Sequence, residues 1–422
     1  MKGFLNELRW RGLLNDCTPD LEEGIAKGEV HTAYVGFDPT APSLTIGNLV
    51  SLMLLVHWQR AGGKAIVLLG GATGRIGDPS FKAEERQLMS YDLLDKNLAH
   101  QAQQFRQYLD FEGENAAIIV NNHDFYKEMS ALDFLRDIGK RITVSYMLAK
   151  DSVKTRLQTG LSFTEFSYQL IQGYDYQHLL EHHNCALQMG GSDQWGNIMT
   201  GVEIVRRNLG KGVHALTTPL LTKADGTKYG KTEAGNIWLD AELTSPYQFY
   251  QFCLNSTDSD IPKLLRTFLL ISEAEIVAIE AEHNAAPHLR KAQHALAHGL
   301  TTMVHSSAQL ESAIKVSELL FSKNADTMTR LAANDWAMVA NEIPCFSLED
   351  AQNATNVSDL LSVKTTVFDS GSSVRRAVKE SSLSINRQKV TAHDQIINDS
   401  DWLFGQYLLV ENGKKTKFIL KK

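Results

Sequence analysis

Cysteine is scarce in this sequence, and the few residues present form no framework. Only four cysteines occur in 422 residues, at Cys17, Cys185, Cys253 and Cys345, and no two of them form a C-x-x-C pair. This spacing argues against a disulfide scaffold and against a zinc site, so no protein-bound metal is expected. A reducing, cytoplasmic setting fits this use of cysteine best.

Long apolar runs are missing as well. The opening stretch, MKGFLNELRWRGLLND, carries too many charges for the apolar core of a secretion signal, and no later stretch has the length and apolarity of a membrane span. We therefore expect no membrane partner. The opening instead predicts an amphipathic first helix with Leu5 and Leu8 near one face.

A general excess of positive charge is also absent, since the net charge is -7. The charge is nevertheless uneven along the chain. Residues 351–422 contain 11 basic and 7 acidic residues and carry +4, whereas the residues before them, with 31 basic and 42 acidic, carry -11. This asymmetry predicts a small C-terminal module that meets a polyanion, with a solvated basic tail as the alternative.

Short apolar runs alternate with helical patterns between residues 31 and about 222. The runs HTAYVGF, KAIVLLGG, AAIIVNN and CALQMGG are typical of buried strands, because they are short, apolar and bounded by Gly, Asn or Asp. Helical patterns such as LVSLMLLVHWQRAGG and EFSYQLIQGYDYQHLLEHH lie between them. The alternation predicts an α/β fold with a doubly wound, Rossmann-like parallel sheet and a site at the carboxyl ends of its strands.

The pattern changes after residue 246, where strand-like runs stop and helical spacing continues. The polar stretch SKNADTMTR is typical of a linker, and short alternating runs follow it toward the end. We therefore predict a Rossmann-like domain at 1–222, a glycine-rich loop and helical domain at 223–325, a linker at 326–350, and a small α+β module at 351–422.

Two glycine-rich stretches are candidates for phosphate binding. KAIVLLGGATGRIGDPSFK is a strand followed by four glycines and Asp78, which alone is weak evidence. LTKADGTKYGKT ends in Gly-Lys-Thr but is not a P-loop, because that spacing would require glycine at Asp225. It predicts either a solvated loop or a flexible loop that neutralises a polyphosphate with Lys223, Lys228 and Lys231.

Two further stretches carry polar side chains suited to a small ligand. GGSDQWGN combines a tight turn with Asp193, whose carboxylate suits ribose hydroxyls, and with the amide of Gln194. FSYQLIQGYD puts Tyr168, Gln172 and Asp175 on one helix face. A polar face usually points at water, but the apolar residues between these positions favour a buried pocket.

Taken together, these stretches resemble the bacterial tyrosyl-tRNA synthetases, a family of class I aminoacyl-tRNA synthetases. The resemblance extends from about Ala33 to Pro246 and more loosely to the end. It rests on YVGFDPTAPSLTIGN, GGATGRIGDPSFKAEER, FLRDIGK, SFTEFSYQLIQGYD, GGSDQWGN and TKADGTKYGKT. The family's second signature, Lys-Met-Ser-Lys-Ser or Lys-Phe-Gly-Lys-Thr, is matched by residues 228–232. The first, His-Ile-Gly-His, is replaced by Thr45-Ile46-Gly47-Asn48.

The resemblance implies a two-step reaction. Tyrosine and ATP give tyrosyl adenylate and pyrophosphate, and the tyrosyl group then moves to the terminal ribose of tRNA(Tyr). Mg²⁺ accompanies ATP, which is a substrate. FLRDIGK and SFTEFSY match segments that the family uses at a homodimer interface, where Phe163 would be a central contact. The stretch SSVRRAVKESSLSINRQKV resembles an RNA-binding module shared with a small-subunit ribosomal protein and pseudouridine synthases.

The resemblance also implies roles for individual positions. The expected catalytic residues are Thr40, Thr45, Asn48, Lys82, Arg86, Lys228, Lys231 and Thr232. The expected tyrosine ligands are Tyr34, Asp78, Tyr168, Gln172 and Asp175. ATP is expected to contact Asp38, Gly47, Asp193, Gln194 and Lys231. The expected RNA-binding residues are Arg375, Arg376, Lys379, Arg387 and Lys389.

Two other functions compete with the tyrosine ligase. A catalytically weak or silent paralogue that binds RNA is suggested by the loss of both signature histidines. Since Thr45 and Asn48 are also hydrogen-bond donors, we expect an active enzyme instead. The related tryptophanyl enzyme is disfavoured by Tyr34 and Asp175, because an indole offers no hydroxyl for them to bind.

Overall fold

A computed structural model describes residues 3–80, 89–150, 153–154, 160–232, 235–322, 326–348, 355–413 and 416–422. Lys82 and Arg86, two of the expected catalytic residues, lie outside the described residues. The chain divides into two compact units. The first comprises residues 1–244 and 255–300, and the second comprises residues 245–254 and 301–422.

A six-stranded sheet forms the centre of the first unit. Its strands are β1 (Asp16–Cys17), β2 (Thr32–Phe37), β3 (Lys64–Leu69), β4 (Ile118–Asn121), β5 (Cys185–Gly191) and β6 (His214–Thr218). The strand order is β1-β6-β5-β2-β3-β4. All neighbours are parallel except β1, which pairs antiparallel with β6. The parallel sheet is therefore confirmed, with one short antiparallel strand added at its edge.

The order of the strands reverses beside β2. The chain proceeds from β2 to β3 and β4 on one side, and it then returns to place β5 on the other side of β2. At such a reversal the loops that follow the two central strands diverge and leave a crevice at the carboxyl ends. The crevice is therefore expected after Phe37 and Gly191.

Helices connect the strands of the first unit and continue after the sheet. Their bounds are Phe4–Arg11, Leu21–Lys27, Ile46–Arg60, Tyr91–Phe105, His123–Tyr126, Ala131–Asp137, Val144–Leu148, Phe163–His183, Trp195–Leu209, Ile261–Phe268 and Glu273–Ala285, and a further helix, Lys291–His305, crosses the boundary between the units at residue 300. The helix Phe163–His183 begins where the Ser162 hydroxyl accepts from the Glu165 amide, and it ends at Asn184 with φ of 51°. No helix in the described part of the chain is long and apolar enough to cross a membrane.

The second unit combines helices with a five-stranded sheet, which confirms an α+β module. Its helices are Pro246–Leu254, Ser307–Phe321, Asp326–Thr329, Ala333–Glu342, Val357–Ser362 and Gly371–Lys379. Its sheet contains, in spatial order, Gln388–Lys389, Leu383–Ile385, Tyr407–Asn412, Thr416–Lys421 and Cys345–Ser347.

The residues expected to form a linker, 326–350, contribute folded elements to this second unit. Trp336 and Val339 on the helix Ala333–Glu342 are buried against Leu409 and Ile419 of the sheet. The strand Cys345–Ser347 pairs parallel with Thr416–Lys421. Residues 326–348 are therefore not a linker, because their apolar side chains complete a core whose other half lies much later in the sequence. The helical residues 223–325 are likewise divided between the two units.

Candidate active site

A cleft opens at the carboxyl ends of β2 and β5, where the strand order reverses. Most of the expected tyrosine and nucleotide ligands line it together, although they are far apart in the sequence. The expected residues that line the cleft are Tyr34, Asp38, Thr40, Asn48, Asp78, Tyr168, Gln172, Asp175, Asp193 and Gln194.

One end of the cleft contains a buried carboxyl group. Asp175 is only 1% exposed. Its Oδ2 accepts from Asn122 Nδ2 at 2.9 Å, and its Oδ1 accepts from the Tyr126 hydroxyl at 2.7 Å. Burial raises the pKa of Asp175 to about 7, although the bonds from Asn122 and Tyr126 oppose this shift. Each carboxyl oxygen still has a free lone pair that a ligand can use.

The hydroxyl of Tyr34 lies in the same part of the cleft. Tyr34 is 0% exposed, and its hydroxyl has no hydrogen-bond partner among the described residues. Its ring packs edge-on against Tyr176 with centroids 5.4 Å apart. An unpaired buried hydroxyl is unfavourable by about 1–3 kcal/mol. The Tyr34 hydroxyl is thus a hydrogen-bond donor that a ligand can use, and it lies close to the Asp175 carboxyl group.

Asn122 and Tyr126 are site residues that the sequence analysis did not identify. Asn122 directly follows β4, so its position at the carboxyl edge of the sheet was a usable signal. Its own side chain is fixed because Oδ1 accepts from the Ala72 amide at 2.6 Å. Tyr126 lies at the end of the short helix His123–Tyr126, and no sequence pattern distinguishes it from a core tyrosine.

Two further carboxylates occupy the middle of the cleft. Asp38 accepts from the Tyr168 hydroxyl at 2.9 Å and from the Thr73 hydroxyl at 2.6 Å. Asp78 accepts from Gln194 Nε2 at 2.8 Å and from the Ser80 amide at 3.0 Å. These bonds fix the side chains of Asp38 and Asp78 in place.

Asp193 and Gln172 complete the polar lining. Burial raises the pKa of the Asp193 carboxyl, Asp78 adds to the rise, and the charge of Lys228 opposes it. Gln172 Oε1 is buried and has no hydrogen-bond partner within the described ranges. Gln172 Oε1 is therefore a buried acceptor in the cleft that the described protein atoms do not satisfy.

The first signature forms the start of the helix Ile46–Arg60. Thr45 is the N-cap: its amide and its hydroxyl both donate to Asn48 Oδ1, at 2.9 and 2.8 Å, and its Oγ1 accepts from the Asn48 amide at 3.4 Å. Asn48 lines the cleft, whereas Thr45 does not. The Thr45 hydroxyl donates its proton to Asn48 Oδ1, so direct binding of the nucleotide by this hydroxyl, as expected from the sequence, would require that bond to break.

Gly47, in the first turn of this helix, is exposed. A Cβ atom added to it would contact only Thr45 Oγ1, at 3.5 Å. No described protein atom therefore requires glycine at this position, and space for a close ligand is left above the helix N-terminus.

The second signature packs directly against the first. A Cβ atom added to Gly230, whose φ is +86°, would lie 2.3 Å from Ile46 Cγ2. Main-chain bonds join the two stretches: the Ile46 amide donates to the Ile237 carbonyl at 3.1 Å, and the Ile237 amide donates to the Gly230 carbonyl at 2.9 Å. Lys228, Lys231 and Thr232 are exposed, with the last two forming a short strand that pairs with Gly235–Asn236.

The expected RNA-binding residues differ in their surroundings. Arg375, Arg376 and Lys379 are exposed on the helix Gly371–Lys379, and Lys389 is exposed nearby in the sequence. The half-buried Arg387 instead donates to the Thr327 hydroxyl at 2.9 Å and to the Ser322 carbonyl at 2.8 Å. Its guanidinium holds together parts of the second unit, so the expectation that it binds RNA does not fit these contacts.

No cluster of three or more His, Cys, Asp or Glu side chains suited to a metal ion occurs among the residues that the structure describes. The four cysteines are free thiols.

Family models match most of the chain. Residues 26–322 match the model described as "tRNA synthetases class I (W and Y)", and residues 335–420 match the "Tyrosine--tRNA ligase SYY-like C-terminal domain". The chain is 51% identical over 427 residues to a tyrosine–tRNA ligase from Cytophaga hutchinsonii, which covers 100% of both chains. It is 50% identical over 426 residues to one from Bacteroides thetaiotaomicron, which covers 99% of both.

Solved structures give the same result for the fold. A C-terminally truncated mitochondrial tyrosyl-tRNA synthetase from Aspergillus nidulans matches with a TM-score of 0.68 and 30% identity, covering 75% of this chain and 94% of its own. A tyrosyl-tRNA synthetase from Archaeoglobus fulgidus, complexed with L-tyrosine, matches with a TM-score of 0.56 and 18% identity, covering 73% and 99%. The second likeness concerns the fold alone.

Proposed function

The chain belongs to the class I tRNA synthetases of the tryptophan and tyrosine group, and within them to the tyrosine–tRNA ligases; from this membership we propose what each part of the cleft does. The function is that of a tyrosine–tRNA ligase, with tyrosine, ATP and tRNA(Tyr) as substrates. A carboxylate oxygen of tyrosine attacks the α-phosphorus of ATP, and the bond to the departing pyrophosphate breaks. The nucleophile is already ionised, so the protein must align the substrates and stabilise charge rather than remove a proton.

The phenol of tyrosine is assigned to the buried end of the cleft. We assign the Tyr34 hydroxyl as a donor to the phenol oxygen, and the Asp175 carboxylate as the acceptor of the phenol proton. The observation that carries this assignment is the buried Tyr34 hydroxyl, which has no partner in the described structure. Tyrosine supplies that partner, whereas phenylalanine and tryptophan have no hydroxyl to offer. Asn122 and Tyr126 hold Asp175 in position.

The amino-acid end of the substrate is assigned to the middle of the cleft. Asp78, the Tyr168 hydroxyl and the unpaired Gln172 Oε1 are acceptors for an ammonium group. Because Asp78 is fixed by Gln194 and the Ser80 amide, it offers a negative charge at a defined position. This arrangement would hold the ammonium while leaving the substrate carboxylate directed toward ATP.

ATP is assigned to the region between the two signatures. We propose that Asp193 binds the ribose hydroxyls and that Asp38 and Gln194, which line the same cleft, also contact ATP. Thr40, Asn48 and the helix N-terminus at Gly47 would face the phosphates, with Lys228, Lys231 and Thr232 closing from the second signature. Mg²⁺ arrives with ATP as part of that substrate. Lys82 and Arg86 are proposed, from the family resemblance alone, to bind the departing pyrophosphate.

Tyrosine-dependent exchange of labelled pyrophosphate into ATP tests the assignment of activity. The purified chain is expected to exchange pyrophosphate only when tyrosine is present. Phenylalanine and tryptophan at the same concentration are the controls. A protein that binds tyrosine and ATP but shows no exchange above background would support the silent paralogue instead.

We also propose a homodimer formed through the first unit. Five apolar side chains within residues 132–163 are exposed, namely Leu132, Leu135, Val144, Leu148 and Phe163. Exposed apolar residues that form one contiguous patch mark a protein–protein interface, and we propose that these five side chains form such a patch. A second copy of the chain is the partner that the family resemblance indicates.

Phe163→Asp tests this dimer by adding a charge to the proposed interface. The variant is expected to be a monomer in light scattering at micromolar concentration, where the wild type is a dimer. Phe321→Asp is the matched control, because Phe321 is 74% exposed and Phe163 is 75% exposed, but Phe321 belongs to the second unit. A wild-type monomer, or equal effects of both changes, would contradict the proposal.

The exposed basic residues of the second unit, Arg375, Arg376, Lys379 and Lys389, are proposed to contact tRNA(Tyr) phosphates. A cytoplasmic location is proposed because tRNA charging occurs where tRNA is used and because the free thiols suit a reducing compartment.

A further inference from the structure

The side chains of Thr45 and Asn48 are bound to each other rather than separately oriented toward the cleft. Asn48 Oδ1 accepts two hydrogen bonds, from the Thr45 amide and the Thr45 hydroxyl. The Thr45 hydroxyl oxygen in turn accepts from the Asn48 amide, so the two residues close a reciprocal capping box at the start of the helix Ile46–Arg60.

This arrangement fixes which end of the Asn48 amide faces the cleft. An asparagine amide has an acceptor oxygen and a donor NH₂ group on opposite sides, and rotation about its last bond exchanges them. Here the oxygen is held by two donors of Thr45, so the NH₂ group points the other way. No residue in the described ranges accepts a bond from Asn48 Nδ2, and Asn48 lines the cleft.

We propose that Thr45 is a positioning residue, which acts on the reaction only by holding the Asn48 amide so that its Nδ2–H donates to a phosphate oxygen of ATP. This inference rests on the proposed function of the cleft. Within the first signature, only the Asn48 side chain donates to ATP. Thr45 contributes by orienting the Asn48 amide. Without the Thr45 hydroxyl, the Asn48 amide loses one of its two fixing bonds and can present its oxygen to the phosphates, which would repel them.

The capping box depends on both side chains. Histidine at either position would not reproduce the box, since the box needs a hydroxyl at position 45 and an amide oxygen at position 48. A threonine that bound the phosphate directly would have to break its bond to Asn48 Oδ1 first.

A double-mutant cycle separates an indirect role of Thr45 from a direct one. The variants are Thr45→Val, Asn48→Ala and the double variant, and the readout is the single-turnover rate of adenylate formation together with the dissociation constants of tyrosine and ATP. Loss of one well-placed donor lowers such a rate by roughly 10² to 10³. Asn48→Ala is expected to show a loss near that range, and Thr45→Val a loss of about tenfold, with unchanged tyrosine affinity in both.

The decisive comparison is made in the Asn48→Ala background. If Thr45 acts only through Asn48, adding Thr45→Val lowers the rate by less than about twofold there. Independent, multiplying losses would overturn the proposal, because they would show that Thr45 contacts the reacting groups itself. Loss of rate in Thr45→Ser, which keeps the hydroxyl and the box, would overturn it as well.

Asn48→Asp distinguishes positioning from mere helix stability. The aspartate keeps an acceptor for both Thr45 donors and suits the first turn of a helix, but it has no NH₂ group. We expect an unfolding midpoint equal to that of the wild type together with a rate as low as that of Asn48→Ala. A rate equal to that of the wild type would overturn the proposal. Wild-type protein without exchange would instead overturn the proposed function, so the two failures are distinguishable.

Discussion

At the scale of single residues, the proposed recognition of tyrosine depends on two buried groups of the cleft, the Tyr34 hydroxyl and the Asp175 carboxyl. Tyr34→Phe and Asp175→Asn each remove one partner of the phenol, so each is expected to reduce discrimination against phenylalanine by tenfold or more while ATP binding changes little. The full discrimination between tyrosine and phenylalanine is roughly 10⁵ in enzymes of this family, for which the value is already known. Pyrophosphate exchange with tyrosine and with phenylalanine measures the ratio.

Tyr108→Phe is the control for this prediction. Its hydroxyl is also buried without a partner in the described residues, but it does not line the cleft. Discrimination in this variant should equal that of the wild type. Equal losses for tyrosine and phenylalanine in the Tyr34 and Asp175 variants would contradict the assigned contacts.

The pH dependence of tyrosine binding follows from the raised pKa of Asp175. Burial favours the protonated carboxyl before tyrosine binds, up to a pKa of about 7. A phenol that donates to Asp175 favours the ionised form, so bound tyrosine lowers this pKa. Tyrosine affinity should therefore rise with pH below about 7, by up to tenfold per pH unit, and level off above it.

Calorimetry between about pH 5.5 and pH 8, without ATP, measures this dependence. Asp175→Asn cannot ionise, so its weaker affinity should be nearly constant over the same range. Affinity that falls with rising pH in the wild type would mean that Asp175 binds the phenol as a protonated donor.

Ten of the residues that line the cleft in the described structure were expected from the sequence, because the order and spacing of its motifs match a known family. The sequence did not identify Tyr126, because its contact with the site exists only where the fold brings its hydroxyl to 2.7 Å from Asp175 Oδ1. It also assigned Arg387 to RNA, since a basic residue in a basic segment looks the same whether it is exposed or donates to the Ser322 carbonyl. The partner of a side chain is a property of the fold, and local sequence does not contain it.

At the scale of elements, the two signature stretches form one structural feature around Gly230. Gly230→Ala would bring a Cβ atom to 2.3 Å from Ile46 Cγ2 and also strain a positive φ. We expect displacement of the signature loop and a fall of tenfold or more in adenylate formation, with tyrosine affinity nearly unchanged. Rapid mixing with ATP and tyrosine measures the rate.

Gly226→Ala is a matched control, because Gly226 has φ of +84° and no atom within 4 Å of an added Cβ. It carries the same backbone strain in the same loop without the contact to Ile46. If both variants lost equal activity, strain alone would explain the effect and the contact between the signatures would be unimportant.

Strands were predicted where apolar runs are continuous, and missed where they are not. The strand His214–Thr218 ends in two buried threonines, Thr217 and Thr218, which lowered its apolar signal. The edge strand Asp16–Cys17 has only two residues, too few for a period. The strand Cys345–Ser347 depends on a partner about seventy residues later, and such pairing has no local signature.

At the scale of the whole molecule, the opposite charges of the two parts of the sequence predict separate tasks. The double change Arg375→Glu and Arg376→Glu reverses charge on an exposed helix of the second unit. We expect tRNA charging to fall by tenfold or more at physiological salt, with pyrophosphate exchange unchanged, because phosphate contacts dominate RNA affinity. Lys211→Glu, on an exposed position of the first unit, is the control. Parallel loss of exchange would contradict this separation.

The position of the strand Thr416–Lys421 inside the second sheet affects how the second unit folds during synthesis on the ribosome. It lies between Tyr407–Asn412 and Cys345–Ser347, and its Ile419 belongs to the same buried cluster as Trp336 and Val339. Trp336 and Val339 are synthesised before Ile419. At a synthesis rate of roughly 5–20 residues per second, several seconds pass before Ile419 is added to the chain. During synthesis an apolar surface and an unpaired strand edge are therefore exposed together, so a ribosome stalled in this interval would hold a nascent chain prone to aggregate with others.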